Sequence, residues 1–315
     1  MKVIRYSEEL QDNWNSFLEK SKNSTFLFHR NFMDYHKDRF SDYSLMIYDD
    51  KNDLVACFPA MQSSATVITS HAGLTYGGLV LKREEKLNNT IEVFKAILKF
   101  LYDNGFEKII LKDFPKFYNN SPSEEIEYAL FLSNAKIIRR DTAIVIDNLK
   151  PIKYQSRRER SVKKGIKIGV TIDELEDFTT FWNSILTPNL NERFGVNPVH
   201  SLEEILLLKN FFPEEIKLYT SFINGKMMAG TVLFITPDVV HAQYISGIEE
   251  GRNNGALDFL FDFVIKKYAT VKYFDFGICN ENAGRDLNFG LLDWKEGFGG
   301  RTFCHNFYEI ETVNH

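Results

Sequence analysis

A glycine-rich segment between a predicted strand and an apolar helix has the composition of an anion-binding loop. Its sequence is Gly251-Arg252-Asn253-Asn254-Gly255-Ala256. Glycine lets the backbone approach a ligand closely, and the unpaired amides and dipole of a helix N-terminus favour negative charge. A solvent-exposed loop before an ordinary helix would use the same residue types. The segment therefore predicts a phosphate cradle, for which the candidates are Arg252, Asn254, Gly255 and Ala256.

A basic run at residues 156–165 is a second candidate for binding phosphate. Five of its ten residues are Arg or Lys. Arginine presents a rigid fork of donors that suits phosphate oxygens, whereas a charged helix face is often only solvated. The candidates on this run are Arg157, Arg160 and Lys164.

Side chains that could transfer protons lie in the last third of the chain. Asp275 stands between Phe274 and Phe276 in a predicted strand, so it points away from two residues that can enter a core. Asp275 is the first candidate for a general base or an amine-orienting group, and Glu281 on the following loop is the alternative. Tyr244 is the candidate proton donor, although most tyrosines in sheets are structural.

The histidines and cysteines argue against a metal or covalent centre. His71 and His241 fall in predicted strands, where histidine is commonly a hydrogen-bonded core or rim residue. Cys57, Cys279 and Cys304 are widely spaced and form no Cys-x-x-Cys pair. The chain contains no Gly-x-Ser-x-Gly nucleophile elbow. We expect no metal and no tightly bound cofactor.

Length and composition predict two folded domains. The chain has 315 residues, of which 44% are hydrophobic, and its 28 Phe and 14 Tyr can supply two cores. A net charge of -5 disfavours a protein whose whole surface follows a nucleic acid. No apolar run approaches the length of a membrane span, and the N-terminus lacks a signal-peptide core. We therefore expect a cytoplasmic protein.

The two halves of the chain repeat one order of elements. Each half reads as a hairpin, a third strand, a helix and a strand, and the dipeptides His71-Ala72 and His241-Ala242 mark the third strands about 170 residues apart. Duplication explains this order, and chance similarity of two mixed halves is the alternative. The elements are predicted at 44–48, 54–61, 66–71, 90–102 and 108–111, and at 216–223, 226–235, 239–246, 256–268 and 271–276.

An ordered set of motifs in the second half resembles a known family. A basic helix, Phe-Asp-Phe-Gly at 274–277, Asn-x-Gly-Leu at 288–291 and Trp-Lys-x-x-Phe-Gly-Gly at 294–300 resemble the FemAB-like branch of the GNAT (N-acetyltransferase) superfamily. That branch includes peptidoglycan-bridge aminoacyltransferases. Residues 252–257 are similar to the GNAT phosphate signature, with Leu257 in the place of its last small residue. The resemblance is strongest over residues 157–301.

The resemblance implies an α/β (α+β) fold of two tandem GNAT-like domains, each a mixed, mainly antiparallel sheet flanked by helices. Residues 1–148 would form a degenerate, acceptor-side domain that includes Tyr76, and residues 149–315 the donor-binding, catalytic domain. His241 and Gln243 would border the donor or substrate, and Asn288 the donor. Lys295 would lie near the reacting or the phosphate-bearing groups, where a lysine can stabilise an oxyanion or an anionic substrate.

The implied function is transfer of an acyl group from acyl-CoA, such as acetyl-CoA, to an amine. The family suggests an amino sugar or a cell-envelope precursor on a lipid or nucleotide carrier. An aminoacyl-tRNA donor and a noncatalytic protein that binds a nucleotide-linked ligand are the alternatives. Fem-type ligases commonly carry a long helical hairpin in lobe two, and residues 173–210 have room for two ordinary helices only. That shortness favours acyl-CoA over tRNA.

Overall fold

The chain, described over residues 1–313 by a computed structural model, divides into two units. Unit 1 comprises Met1–Asp141, Asn282–Arg285 and the chain from Cys304 onward, and unit 2 comprises Thr142–Glu281 and Asp286–Phe303. The sequence places everything after residue 148 in one domain. The segment from Cys304 instead joins unit 1, because its strand pairs with a strand there. Within residues 1–313 no helix has both the length and the apolarity to cross a bilayer.

Strands run through both units. In chain order they are β1 (Lys2–Arg5), β2 (Ser41–Asp42), β3 (Leu45–Tyr48), β4 (Leu54–Phe58), β5 (Met61–Gln62), β6 (Val67–Thr69), β7 (Val80–Leu81), β8 (Lys108–Lys112), β9 (Lys136–Asp147), β10 (Thr171–Leu175), β11 (Ile216–Ile223), β12 (Lys226–Ile235), β13 (Val239–Gly247), β14 (Tyr273–Ile278), β15 (Asn280–Glu281), β16 (Asp286–Leu287) and β17 (Arg301–Glu311).

The α-helices are α1 (Gln11–Glu19), α2 (Arg30–Met33), α3 (Leu87–Asp103), α4 (Glu125–Leu132), α5 (Ser156–Lys167), α6 (Thr179–Phe181), α7 (Thr187–Phe194), α8 (Leu202–Phe211), α9 (Glu249–Asn253), α10 (Ala256–Lys267) and α11 (Phe289–Glu296). A π-helical turn, Trp182–Leu186, joins α6 to α7. Short 3-10 turns lie at Glu8–Leu10, Phe26–Phe28, Asp34–His36, Lys116–Tyr118 and Asn282–Gly284.

Unit 1 contains two runs of paired strands. One has the order β1-β3-β4-β7 and is antiparallel, and in the other β5 and β6 are antiparallel while β6 and β8 are parallel. Helix α3 crosses between β6 and β8 and places Val93, Ile97 and Leu101 in the core of the unit. The predicted third strand ends early, because His71 has a positive φ of 44°.

Unit 2 is built on the strand order β10-β11-β12-β13-β14-β9. Its pairs are antiparallel except β13 and β14, which are parallel because α9 and α10 form the crossover between them. The turn Asn224-Gly225 has positive φ at both residues, the geometry that joins two antiparallel strands tightly. A mixed, mainly antiparallel sheet flanked by helices therefore agrees with the predicted fold class.

The core of unit 2 lies between this sheet and α10. Phe274 and Phe276 of β14 pack against Phe261 of α10, with ring centroids 6.2 and 5.5 Å apart. Val240 and Ala242 of β13 belong to the same core. Because side chains alternate along a strand, His241 and Asp275 point to the opposite face of the sheet. The core therefore determines the face on which the candidate site lies.

Candidate active site

Two neighbouring parallel strands separate at the centre of unit 2. β13 and β14 pair only over Val239–His241 and Tyr273–Asp275, and β13 continues for six residues without β14 as a partner. Beyond Asp275 the pairing of β14 with β9 also shifts register, and Gly277 takes a positive φ of 73°. Backbone groups that leave a sheet in this way are available to a ligand.

A histidine and an aspartate pair where the strands separate. His241 and Asp275 are in register on β13 and β14, and His241 Nδ1 lies 2.8 Å from Asp275 Oδ2. The backbone amide of Gly277 donates to Asp275 Oδ1 at 2.7 Å. An ionised carboxylate can only accept, so with Asp275 ionised the donor in this hydrogen bond is His241 Nδ1–H. Both side chains are buried, at 9% and 3% exposure for the residues.

A buried lysine contacts the same backbone segment. Lys295 of α11 is 3% exposed, and its Nζ donates to the carbonyl oxygens of Gly277 and Ile278 at 3.0 and 2.8 Å. Burial lowers the pKa of the Lys295 ammonium, while the nearby Cys279 and Asp275 oppose that effect. A β-carbon built on Gly277 would lie 3.2 Å from His241 Cε1. Gly277 therefore has Lys295 on its carbonyl and His241 beside its α-carbon.

Cys279 adds a thiol to this cluster. It is 2% exposed, and burial raises the pKa of its thiol, with the adjacent Lys295 ammonium acting in the opposite direction. No pattern in the sequence places Cys279 near Lys295. Within residues 1–313, no three His, Cys, Asp or Glu side chains are arranged to hold a metal ion.

The tail motif explains how Lys295 is aimed. Trp294 packs its ring against Phe261 and Phe298, at 4.9 and 5.3 Å between centroids, and its Nε1 donates to Asp258 at 2.7 Å. The next residue in the helix points about 100° away, so the side chain of Lys295 takes a different direction from that of Trp294. Side chains at Gly299 and Gly300 would strike Ile152 and Ile144, so the motif's two glycines allow close packing.

A bulge in β13 separates two other predicted residues. Val232 pairs with Tyr244 and Leu233 with Ala242, so Gln243 is the extra residue of the bulge, and its buried Oε1 has no hydrogen-bond partner within residues 1–313. The hydroxyl of Tyr244 accepts from the His200 backbone amide at 3.1 Å and lies 2.6 Å from His200 Nδ1. Bulges are frequent beside active sites because they redirect side chains.

Asn288 and Glu281 meet at the start of α11. Asn288 is the N-cap, since its Oδ1 accepts from the Leu291 amide at 3.0 Å, and its Nδ2 donates to Glu281 Oε1 at 3.0 Å. Both side chains therefore have structural partners. They lie on the segment that leads from Cys279 to Lys295.

The proposed phosphate cradle folds differently from an open loop. Residues 249–253 form the short helix α9, and the guanidinium of Arg252 bonds the Gly247 carbonyl. Gly255 has a φ of 77°, and a β-carbon there would overlap the carbonyl oxygen of Ser161 in α5. Ala256 is fully buried, whereas Asn254 is half-buried at the end of α9. Gly255 thus permits close packing of α10 on α5.

The basic helix α5 divides its cations between structural and exposed roles. Arg157 pairs with Asp293, and Lys164 donates to the Asn253 carbonyl at 2.7 Å. Arg160 is exposed. Arg158, which was not among the candidates, makes two bonds to Asp258 at 2.8 and 2.7 Å.

In unit 1 the corresponding strand ends lack the acid–base pair. β6 and β8 are parallel with Thr69 opposite Ile110, and two residues further stand His71 and Lys112. Lys112 donates to the Ala72 and Leu74 carbonyls. Tyr76 is 2% exposed, and its hydroxyl lies 2.9 Å from Thr25 Oγ1. Unit 1 thus has a lysine where unit 2 has Asp275.

The structure brings His241, Asp275 and Lys295 together around Gly277, with Glu281 and Asn288 on the adjoining segment. Among the other candidates, Tyr244, Arg252, Gly255 and Arg157 contact other partners. Cys279, His200 and Gly277 were not among the candidates. His241 and Asp275 are each the third residue of their strands as the structure has them, and this register comes from the fold rather than from residue spacing.

Comparisons with known proteins give matches by structure only. No protein-family model matches the chain, and no curated protein matches it at a significant level. The crystal structure of FemX has a TM-score of 0.67 and 12% identity over 98% of this chain and 97% of that one. L-PGS from Bacillus licheniformis gives a TM-score of 0.62 and 11% identity, covering 99% and 94%.

A third likeness concerns the tandem arrangement. A tandem GNAT protein from the clavulanic acid biosynthesis pathway has a TM-score of 0.50 and 8% identity, with 100% of this chain and 99% of that chain covered. At such low identities the likeness is one of fold. The chain therefore has the fold of FemX, L-PGS and the tandem GNAT protein, the fold that the ordered motifs of its second half predict.

Proposed function

We propose that this chain is an N-acyltransferase that moves an acyl group from acyl-CoA to an amine. The observation that carries the proposal is the buried Lys295 ammonium on the Gly277 and Ile278 carbonyls, beside the His241–Asp275 pair where two parallel strands separate. Fixed donors in a site of low polarity stabilise developing charge strongly. The likeness to FemX, L-PGS and a tandem GNAT protein supports a transferase of this type.

The reaction needs three things from the protein. The amine must be neutral, the acyl oxygen must be stabilised as it becomes negative, and the departing thiolate must receive a proton. An ammonium has three N–H donors, and two of those on Lys295 are taken by backbone carbonyls. The third faces the Cys279 side chain, so an acyl oxygen would replace that thiol as its acceptor. Gln243, Asn288, Arg252 and Asn254 are the proposed donor-side contacts, and Tyr244 and Glu281 remain alternative proton-transfer groups.

The helices after β10 support an acyl-CoA donor. Residues 179–194 form one helical stretch that includes the π-helical turn, and α8 has ten residues. These are about 24 and 15 Å long at the usual rise. They are ordinary helices rather than a long arm. Unit 1 is proposed to take the acceptor, an amino sugar or a cell-envelope precursor.

One observation favours an aminoacyl-tRNA donor as the second candidate. Arg160, Lys163, Lys164 and Lys167 recur at intervals of three and four residues, so they share one face of α5, and all four are exposed. Such a stripe can follow a phosphate backbone. The two candidate functions therefore predict different ligands in one binding experiment: acetyl-CoA for the first and tRNA for the second.

The experiment is a thermal-shift titration of the purified protein with acetyl-CoA, with free coenzyme A and with deacylated tRNA. Ligand at 100 times its dissociation constant should stabilise the native state by about 2.7 kcal/mol. A saturable shift with acetyl-CoA supports the proposal, and a shift with tRNA alone supports the second candidate. No shift with any of the three would refute both.

Turnover is then measured with the ligand that binds. Lys295→Met should lower kcat by about 10²- to 10³-fold with little change in donor affinity, because it removes one fixed donor to the acyl oxygen. Lys99→Met is the matched control, since the side chains of Lys99 and of its partner Asp103 are both exposed. Donor binding without turnover by the unaltered protein would instead indicate a noncatalytic binding protein.

A further inference from the structure

We infer that His241, and not Asp275, is the group that takes the proton from the attacking amine, and that Asp275 positions it. The inference rests on the proposed function and assigns its proton acceptor. His241 Nδ1 is bonded to Asp275, whereas Nε2 has no hydrogen-bond partner within residues 1–313 and is not among the fully buried atoms that lack one. Nε2 is therefore the nitrogen that a ligand can reach.

The surroundings of Asp275 make it a poor base and a good orienting group. One carboxylate oxygen accepts from His241 and the other from the Gly277 amide, so the known hydrogen bonds occupy both oxygens. Asp275 is 3% exposed. Because Asp275 accepts a hydrogen bond from Nδ1–H, the lone pair of the neutral imidazole lies on Nε2. That lone pair is the one a general base uses.

The step balances with an acyl thioester as donor. The amine nitrogen forms a bond to the acyl carbon while Nε2 of His241 takes one proton from it. The carbonyl electrons move to the oxygen beside Lys295 and return as the carbon–sulfur bond breaks. The thiolate leaves with the bonding pair and receives the proton from the imidazolium, directly or through solvent. His241 is then neutral again.

The hydrogen bond from the Gly277 amide determines how the side chain of Asp275→Asn should be oriented. This amide donates to the first side-chain oxygen, so the new carboxamide must keep its oxygen there and turn its NH₂ toward His241. An NH₂ group forces Nδ1 to accept, which moves the ring proton to Nε2. The substitution therefore removes the lone pair from Nε2 while the imidazole ring itself stays in place.

The test uses wild type, His241→Asn, His241→Gly and Asp275→Asn. The side chain of His241→Asn keeps a donor near the position of Nδ1 and lacks Nε2. This variant should therefore have a melting temperature within a few degrees of wild type. Its kcat should be about 10²- to 10⁴-fold lower, with KM nearly unchanged. Added imidazole should restore part of the rate of His241→Gly. Wild-type kcat in His241→Asn, or no effect of imidazole on His241→Gly, would overturn the inference.

A readout independent of turnover separates this inference from the proposed function. In protein with ¹⁵N-labelled histidine rings, the signals absent from His241→Asn identify His241. They should show the proton on Nδ1 in wild type and on Nε2 in Asp275→Asn. If no donor is turned over but the tautomer changes in this way, the proposed function fails while the positioning role of Asp275 stands. A proton on Nε2 in wild type overturns the inference.

Discussion

Trp294 Nε1 donates to Asp258 Oδ1 at 2.7 Å, and the same carboxylate accepts two bonds from Arg158. One aspartate in the first turn of α10 therefore holds both α5 and α11. Lys295 follows Trp294 directly, so the bond also limits the rotation of the helix that presents the ammonium. The tail motif is in this way part of the fold as well as of the site.

Asp258→Asn should destabilise the protein by about 3 kcal/mol, because it leaves the guanidinium of Arg158 in a buried setting without its counter-charge. The residue at 258 is 5% exposed. Urea unfolding measures the loss. The control is Asp293→Asn, which breaks the exposed pair with Arg157 and should change stability by no more than about 0.5 kcal/mol. Equal losses in the two variants would contradict the assignment of the Asp258 pair as buried.

Local sequence patterns predicted the hairpin of unit 2 correctly, but they did not predict contacts between residues that are distant in sequence. The turn Asn224-Gly225 specifies two antiparallel strands through its own backbone, and the predicted ranges 216–223 and 226–235 coincide with β11 and β12. Gly255 also has a positive φ, but its neighbour Ser161 is distant in sequence, so the reason for the glycine becomes visible only in the folded unit.

The sequence suggested some residues of the candidate site, but not the hydrogen bonds that join them. Asp275 and Lys295 were candidates, and alternation along β14 correctly directed Asp275 away from the core. Its bond to His241 depends on the register of two parallel strands joined through a helical crossover, which residue spacing does not specify. The partner of Tyr244, His200, and the position of Cys279 beside Lys295 depend on similar long-range contacts.

Gly255→Ala should lose more stability than Gly169→Ala. Both glycines have a φ of 77°, so an alanine suffers the same backbone strain of about 1–3 kcal/mol at each position. A β-carbon at Gly169 meets nothing within 4 Å, whereas one at Gly255 overlaps the Ser161 carbonyl. Urea unfolding of the two variants isolates the cost of that overlap. Equal unfolding free energies would show that α5 yields to the new methyl group.

Asn254 is a better position than Gly255 at which to test the phosphate cradle. Any side chain at Gly255 would disturb the α5–α10 contact, so a loss of donor binding on substitution there would not identify a binding loop. Asn254 has a φ of -91° and a half-buried side chain, so Asn254→Asp adds charge without backbone strain. It should weaken donor binding at least several-fold with an unchanged melting temperature, as measured by titration. Unchanged affinity would remove the segment from the donor site.

Cys304 should be the one thiol of the three that reacts in the native protein. Its residue is exposed, whereas Cys57 is fully buried and Cys279 is 2% exposed. Burial raises the pKa of both buried thiols, which lowers the fraction of reactive thiolate. An aromatic disulfide reagent should titrate one equivalent rapidly in buffer and three in urea. Cys304→Ser should abolish the rapid phase, and a persistent phase would mean that a buried thiol opens to solvent.

Two titratable groups of unit 1, the buried His71 and the half-buried Asp113, should give opposite dependences of stability on pH. Burial and, in the same direction, the charge of the nearby His36 lower the pKa of His71 to about 3. His71 therefore stabilises the fold fully above the unfolded pKa near 6.5, and that stability is lost as pH falls toward 3. Burial, followed by the charge of Glu127, raises the pKa of Asp113 to about 7 from 3.8. Its contribution is fully present below 3.8 and is lost as pH rises through 7.

Between about pH 4 and pH 6.5 the two effects oppose each other, each with a slope of about 1.4 kcal/mol per pH unit. Asp113→Asn removes one of them. The variant should therefore match wild type near pH 4 and exceed it in unfolding free energy at pH 7.5, because wild type must then ionise a buried carboxyl or keep it protonated at a cost. Urea unfolding at half-unit steps of pH measures the difference. Parallel curves for the two proteins would mean that Asp113 titrates alike in the folded and unfolded chain.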